Sequence, residues 1–147
     1  MSSTVLFPGS FDPFTVGHAS LVERALKLFD RVVIAVGYNE HKAGWQPVER
    51  RVATLEALYA VEPRVQVVSY SGLTTDIARQ VNANAILRGV RTMHDYEYEQ
   101  QMAEVNRQLT GIETILLFAD PALSHISSSI VRELSHFGHD VSQYLPH

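Results

Sequence analysis

Along the 147 residues, short β-type apolar runs alternate five times with stretches of helical periodicity. The runs fall at 4–7, 31–37, 65–70, 85–87 and 114–118. The second, RVVIAVG, is β-branched and unbroken, the pattern of a strand buried on both faces. Between the runs, apolar residues recur every three or four positions. Leu21, Val22, Ala25, Leu26 and Phe29 do so within 16–29, and Val52, Leu55 and Leu58 within 49–59. A short helix is predicted over 74–81. Two longer stripes follow: Tyr98, Met102, Val105 and Leu109 within 95–109, and Ile130, Val131, Leu134 and Phe137 within 127–137, the latter turned inward. Strands separated by helices pair in parallel through right-handed crossovers. The expectation is an α/β fold: one Rossmann-like domain over 1–147, with a five-stranded parallel sheet and helices on both faces. No repeat or linker interrupts it. In such sheets ligands bind outside the carboxyl ends of the strands, where the strand order reverses, which directs attention to the loops after strands one, two, four and five.

Several function classes drop out on composition. A hydrophobic content of 46% and a charged content of 19% suit one substantial core. The net charge is −4 and no Lys/Arg run occurs, so no nucleic-acid surface is expected and an anionic ligand needs a local, focused positive site. The absence of cysteine excludes disulfides, thiolate metal sites and thiol catalysis. The first residues lack the basic and apolar regions of a signal peptide, and no apolar run approaches the roughly 18 residues of a membrane span. A cytoplasmic protein is the expectation. The seven histidines show no metal-ligand spacing, so no protein metal site is assigned.

The first loop reads Pro8-Gly9-Ser10-Phe11-Asp12-Pro13-Phe14-Thr15-Val16-Gly17-His18. Thr15 suits an N-cap, placing Gly17 and His18 in a first helical turn whose unpaired N–H groups and dipole favour an anion. Asp12 suits the ordering of its own loop. The spacing is neither that of a dinucleotide fingerprint nor that of a P-loop. A second such start is Ile126-Ser127-Ser128-Ser129, with Ser127 as N-cap. Either feature alone is commonly no more than a capped helix. Together, after strands of one parallel sheet, they could grip a polyphosphate from two sides. Arg88-Gly89-Val90-Arg91 directly follows the fourth run, and guanidinium forks suit oxyanions. Lys42 reads on spacing alone as a solvated loop residue. Asp95 and Glu97 suit the dipole of a helix start, and Glu99 could reach a ribose or a metal-bound water.

These residues resemble the bacterial phosphopantetheine adenylyltransferases, within the nucleotidyltransferase superfamily marked by T/H-x-G-H and I/V-S-S-S/T. The resemblance spans nearly the whole chain, through Lys42, R-G-x-R at 88–91, Asp95-Tyr96-Glu97-Tyr98-Glu99, Met102, Asn106 and the serine run. It implies transfer of AMP from ATP to 4′-phosphopantetheine with Mg²⁺, giving dephospho-CoA and pyrophosphate. Ser10, Phe11, Gly17, His18, Gly89, Val90, Arg91, Glu99 and Leu123, Ser124, His125, Ile126, Ser127, Ser128 and Ser129 would contact ATP. Ser10, Lys42, Thr74, Arg88, Met102 and Asn106 would hold the acceptor. His18 would stabilise the transition state, with Lys42, Arg91 and Ser128 also at the reacting centre. A homohexamer and inhibition by coenzyme A are further implications. Ser10 stands where many members have threonine, and Thr74 where a larger apolar residue is common. From the residues alone, transfer to another acceptor, such as nicotinamide mononucleotide or glycerol phosphate, and a non-catalytic nucleotide sensor stay open.

Overall fold

The computed structural model describes residues 2–147. Strands β1 (Thr4–Gly9), β2 (Arg31–Gly37), β3 (Val65–Tyr70), β4 (Ala85–Val90) and β5 (Glu113–Phe118) alternate with helices α1 (Val16–Ala25), α2 (Val48–Leu58), α3 (Thr74–Gln80), α4 (Met93–Thr110) and α5 (Ser128–His136). A 3-10 turn at Ser142–Tyr144 follows. All strand pairs are parallel, in the order β3-β2-β1-β4-β5.

The apolar runs fill both faces of the sheet. Val32, Val33, Ile34, Ala35 and Val36 are all buried, because β2 is covered from two sides. On one face Val5, Phe7, Ile34 and Leu87 pack against Leu21, Val22 and Ala25 of α1 and Leu55 of α2. On the other, Leu6, Val33, Ala35 and Ile86 pack against Ile77 and Ala78 of α3. Each fully buried valine, leucine or isoleucine contributes about 1.5–3 kcal/mol.

One irregularity in the sheet creates the site. β1 pairs with β2 along its length, from Thr4↔Arg31 to Gly9↔Val36. Against β4 it pairs only at Val5↔Ala85 and Leu6↔Ile86, whereas β4 stays paired with β5 as far as Val90↔Phe118. Pro8 has no N–H to donate to a ladder, so its place in a central strand is compatible with this parting. The sheet therefore opens between the carboxyl ends of β1 and β4, where the strand order reverses.

Three expectations are corrected. β4 runs to Val90, so Arg88 and Gly89 lie in the strand, not after it. α4 begins at Met93 because Thr92 is the N-cap, its side chain accepting from Asp95 N–H at 3.1 Å. It ends at Gly111, which adopts a left-handed φ of 77°. The stripe on α5, expected inward, is only partly so, and that on α4 faces out. Tyr98, Met102, Val105 and Leu109 are all exposed, and Glu99 is the buried residue of α4. On α5, Val131 is buried and Leu134 half-buried, but Ile130 and Phe137 are exposed. Periodicity identifies a shared apolar face without identifying what covers it.

Candidate active site

A cavity of about 690 Å³ occupies the opening between β1 and β4, within the range usual for ligand sites. Both candidate helix starts face it, contributing Thr15, Gly17 and His18 from one and Ile126, Ser127, Ser128 and Ser129 from the other. They lie side by side: a Cβ on Gly17 would stand 3.9 Å from the Ile126 carbonyl oxygen. α5 is also tied to the first loop. The Ser128 hydroxyl donates to the Pro13 carbonyl at 2.7 Å, and Arg132 Nη1 donates to the Asp12 carbonyl at 2.7 Å.

The serine run divides its hydroxyls. Ser127 Oγ accepts from Ile130 N–H at 3.2 Å, and Ser129 Oγ accepts from Arg132 Nη2 at 3.3 Å. In those bonds both hydroxyls are acceptors and keep their O–H available as donors, whereas Ser128 has used its proton on Pro13. An anion at this helix start would meet backbone N–H groups and two serine donors.

His18 closes a reciprocal capping box. Thr15 Oγ1 accepts from His18 N–H at 3.4 Å, while Thr15 N–H donates to His18 Nδ1 at 3.0 Å. A nitrogen that accepts from a backbone N–H carries no proton, so in the neutral ring the proton sits on Nε2. The ring stacks on Phe14 at 5.3 Å and meets the edge of Phe11 at 5.1 Å. Burial, and then the Arg88 and Arg91 charges, bring its pKa down from 6.5 to about 4. At neutral pH His18 is thus an uncharged Nε2–H donor on the cavity wall.

The two arginines are held differently. Arg88 grips Glu99 in bidentate fashion, Nε to Oε2 at 2.7 Å and Nη2 to Oε1 at 2.9 Å, and its Nη1 donates to the Pro8 carbonyl at 2.8 Å. Both Glu99 oxygens are engaged, so its evident task here is to fix the guanidinium. Arg91 pairs with Asp95, Nε to Oδ2 at 3.5 Å, and is more exposed. Gly89 between them lets α1 close on β4: a Cβ there would meet Leu21 Cδ1 at 2.5 Å.

A second pocket of about 160 Å³ adjoins the first, sharing Arg88, Glu99, Tyr98 and Pro8 with it. Thr74, Met102 and Asn106 line it, together with Thr114. The Thr114 hydroxyl is buried with no hydrogen-bond partner among the described residues.

The fold thus gathers Ser10, Phe11, Gly17, His18, Gly89, Val90, Arg91, Glu99, Leu123, Ile126, Ser127, Ser128 and Ser129 around the larger cavity. Arg88 stands between the cavities, with Thr74, Met102 and Asn106 in the smaller. Ser124 and His125 line neither cavity, and Lys42 lines neither, lying exposed on the loop after β2. Sequence reasoning passed over Arg132 and Thr114. Their partners are distant in the chain, and neither belongs to a local motif.

Comparison with known proteins places the chain in a class and then in a family. The cytidylyltransferase-like family matches residues 6–134. Two solved structures share the fold. One is a bifunctional NMN adenylyltransferase/ADP ribose pyrophosphatase from Francisella tularensis, with a TM-score of 0.73 at 17% identity over 99% of this chain and 44% of that one. The other is a lipopolysaccharide core biosynthesis protein from Thermoplasma volcanium, with a TM-score of 0.60 at 21% identity over 82% and 98%. The family match, over most of the chain, makes it a nucleotidyltransferase. Closer in sequence are phosphopantetheine adenylyltransferases from Phocaeicola vulgatus, 57% identical over 96% of this chain and 93% of the relative, and Bacteroides fragilis, 52% identical over 96% and 94%. That of Prochlorococcus marinus is 44% identical over 97% and 91%. The chain belongs to the phosphopantetheine adenylyltransferase family.

Proposed function

We propose that this chain transfers the adenylyl group of ATP to 4′-phosphopantetheine, forming dephospho-CoA and pyrophosphate. The observation that carries the site assignment is the convergence of two helix starts and the His18 Nε2–H on one cavity that meets a second, narrower one at Arg88. In this reading ATP lies in the larger cavity. Its triphosphate rests on the N–H groups of the α1 and α5 starts, with Arg91 and the Ser127 and Ser129 hydroxyls as further donors. The pantetheine arm would occupy the smaller pocket among Thr74, Met102 and Asn106; its phosphate would meet Arg88 and Ser10 where the cavities adjoin, and Lys42 would reach it from the exposed loop outside both cavities.

A phosphate oxygen of the acceptor attacks the α-phosphorus in line. The bond from that phosphorus to the α,β-bridging oxygen breaks, and pyrophosphate leaves with the electron pair. The attacking phosphate is already an anion, so no general base is required. The barrier is lowered by holding two anions together and by donors aimed at the charge that develops. His18 suits that role as a neutral donor that needs no proton exchange during turnover. No group of three His, Asp or Glu side chains suited to a metal occurs among the described residues. Mg²⁺ would be held chiefly by the ATP phosphates and would supply charge neutralisation there.

Coenzyme A, which contains both halves of the product, would compete across the same two cavities. Assembly as a hexamer and a cytoplasmic setting complete the reading. The direct test is pyrophosphate release with a panel of phosphate acceptors: 4′-phosphopantetheine should be preferred over nicotinamide mononucleotide and glycerol phosphate by orders of magnitude in kcat/KM. Preference for either alternative, or ATP binding without turnover on any acceptor, rejects the proposal.

A further inference from the structure

Two charged residues outside the cavities tie the Lys42 loop to the first loop. Asp12 and Arg51 are both buried, at 7% and 5% exposure. Arg51, on α2, donates through Nη1 to the Ser10 carbonyl at 2.7 Å and the Gly37 carbonyl at 3.0 Å, and through Nε to the Gln46 carbonyl at 3.0 Å. Asp12 accepts from Trp45 N–H through Oδ2 at 2.7 Å and from Gln46 N–H through Oδ1 at 2.9 Å. Their own closest approach is 4.0 Å, so each serves the backbone more directly than the other. The loop between β2 and α2 is thereby pinned where it leaves the sheet, at Gly37, and where it returns, at Trp45 and Gln46. Its middle, around Lys42, is exposed; it is braced within the loop by Lys42 N–H and His41 N–H, which donate to the Asn39 carbonyl and Oδ1, and from outside by the Ser71 hydroxyl, which donates to Glu40 Oε1 at 2.9 Å. The return passes so near Asp12 that a Cβ on Gly44 would stand 2.6 Å from Oδ2 and 3.2 Å from the Gln46 carbonyl.

Burying two charges is costly unless each is fully hydrogen-bonded, and apolar packing could fill the same space with less penalty. What the pair supplies that apolar residues could not is directional attachment of three backbone segments: the Ser10 loop, the end of β2 and the Lys42 loop. We propose that Asp12 and Arg51 are positioning residues of the transfer reaction, a latch that sets where Lys42 stands relative to Ser10 and hence to the acceptor phosphate. This rests on the reading of Lys42 as an acceptor-phosphate contact.

A double-mutant cycle on the full-length enzyme tests it, with KM for 4′-phosphopantetheine and for ATP measured separately. Asp12→Asn loses one of the two loop bonds and should raise the acceptor KM about tenfold, the size expected for a hydrogen bond to a charged group, with the ATP KM within about twofold of wild type. Gly44→Ala disturbs the latch from the loop side and should shift the same parameter. If the latch acts through Lys42, Asp12→Asn should add less than about twofold in a Lys42→Ala background. An undiminished effect there, an equal rise in the ATP KM, or an unchanged acceptor KM in both Asp12→Asn and Gly44→Ala overturns the latch. If Asp12→Asn fails to fold, the same cycle with Gly44→Ala decides. An unchanged acceptor KM in Lys42→Ala alone overturns the role of Lys42, and the purpose of the latch with it, before Asp12 is altered, so the two failures are told apart.

Discussion

At His18, backbone geometry and electrostatics specify the same chemical state. The Thr15 N–H selects the tautomer, and burial beside two arginines keeps the ring uncharged. Removing an oriented donor of this kind typically costs about 3 kcal/mol, so His18→Ala should lower kcat by about a hundredfold while ATP binding, measured by calorimetry, changes little. Equal losses in affinity and kcat/KM at constant kcat would reject the transition-state role. The same lowered pKa has a consequence for stability. In the unfolded chain His18 takes up a proton near pH 6.5, but in the fold only near pH 4. Its contribution is therefore complete above about pH 6.5 and is lost as the pH falls towards 4, by up to about 3 kcal/mol. Melting temperatures from pH 7 to 4.5 should fall more steeply for the wild type than for His18→Gln; parallel curves would exclude the effect. Thr114 offers a converse case. Its hydroxyl is buried without a partner among the described residues, so Thr114→Val should leave the melting temperature unchanged or raise it, by about 1 kcal/mol of stability at most.

The helix starts join local capping to ligand binding. Ser127 caps α5 by accepting from Ile130 N–H, and Ser127→Ala should cost about 1 kcal/mol, read as a lower denaturation midpoint, together with a higher KM for ATP. Ser128 acts between elements, because its bond to Pro13 holds α5 against the loop that opens α1. The parting of β1 from β4 belongs to this level as well. Pro8 withholds one donor, the strands separate after Leu6 and Ile86, and the Pro8 carbonyl that would otherwise face a ladder accepts from Arg88 instead.

Over the molecule as a whole, the apolar surface is unevenly covered. α1 buries Leu21, Val22 and Ala25, α3 buries Ile77 and Ala78, and α2 buries Leu55 with Val52 and Leu58 half-buried against the core, whereas α4 leaves Val105 and Leu109 exposed, and Phe118 at the end of β5 is 71% exposed. Where such groups form one contiguous patch, they mark a surface that a partner covers. If the proposed hexamer packs through them, Val105→Asp should shift the mass measured by light scattering towards smaller species. An unchanged mass would remove α4 from the interface.

The alternation of short, unbroken apolar runs with helical stripes sufficed to define a parallel α/β sheet, because a continuous run and a 3.6-residue period are local properties of the chain. The Thr15 and Ser127 caps were equally legible, since a cap and the N–H it serves lie within three residues. Resemblance to a family added Lys42, Thr74 and Asn106, which spacing alone would have left as surface or core. The tertiary structure decided what depends on residues far apart in the chain. It brought α1 and α5 to one cavity, turned Glu99 onto Arg88, pinned the Lys42 loop through Arg51, and left the α4 stripe outside. Local sequence records which face of an element is apolar and which end is capped. The element or ligand it meets depends on how the sheet orders its strands, and that order exists only once the chain has folded.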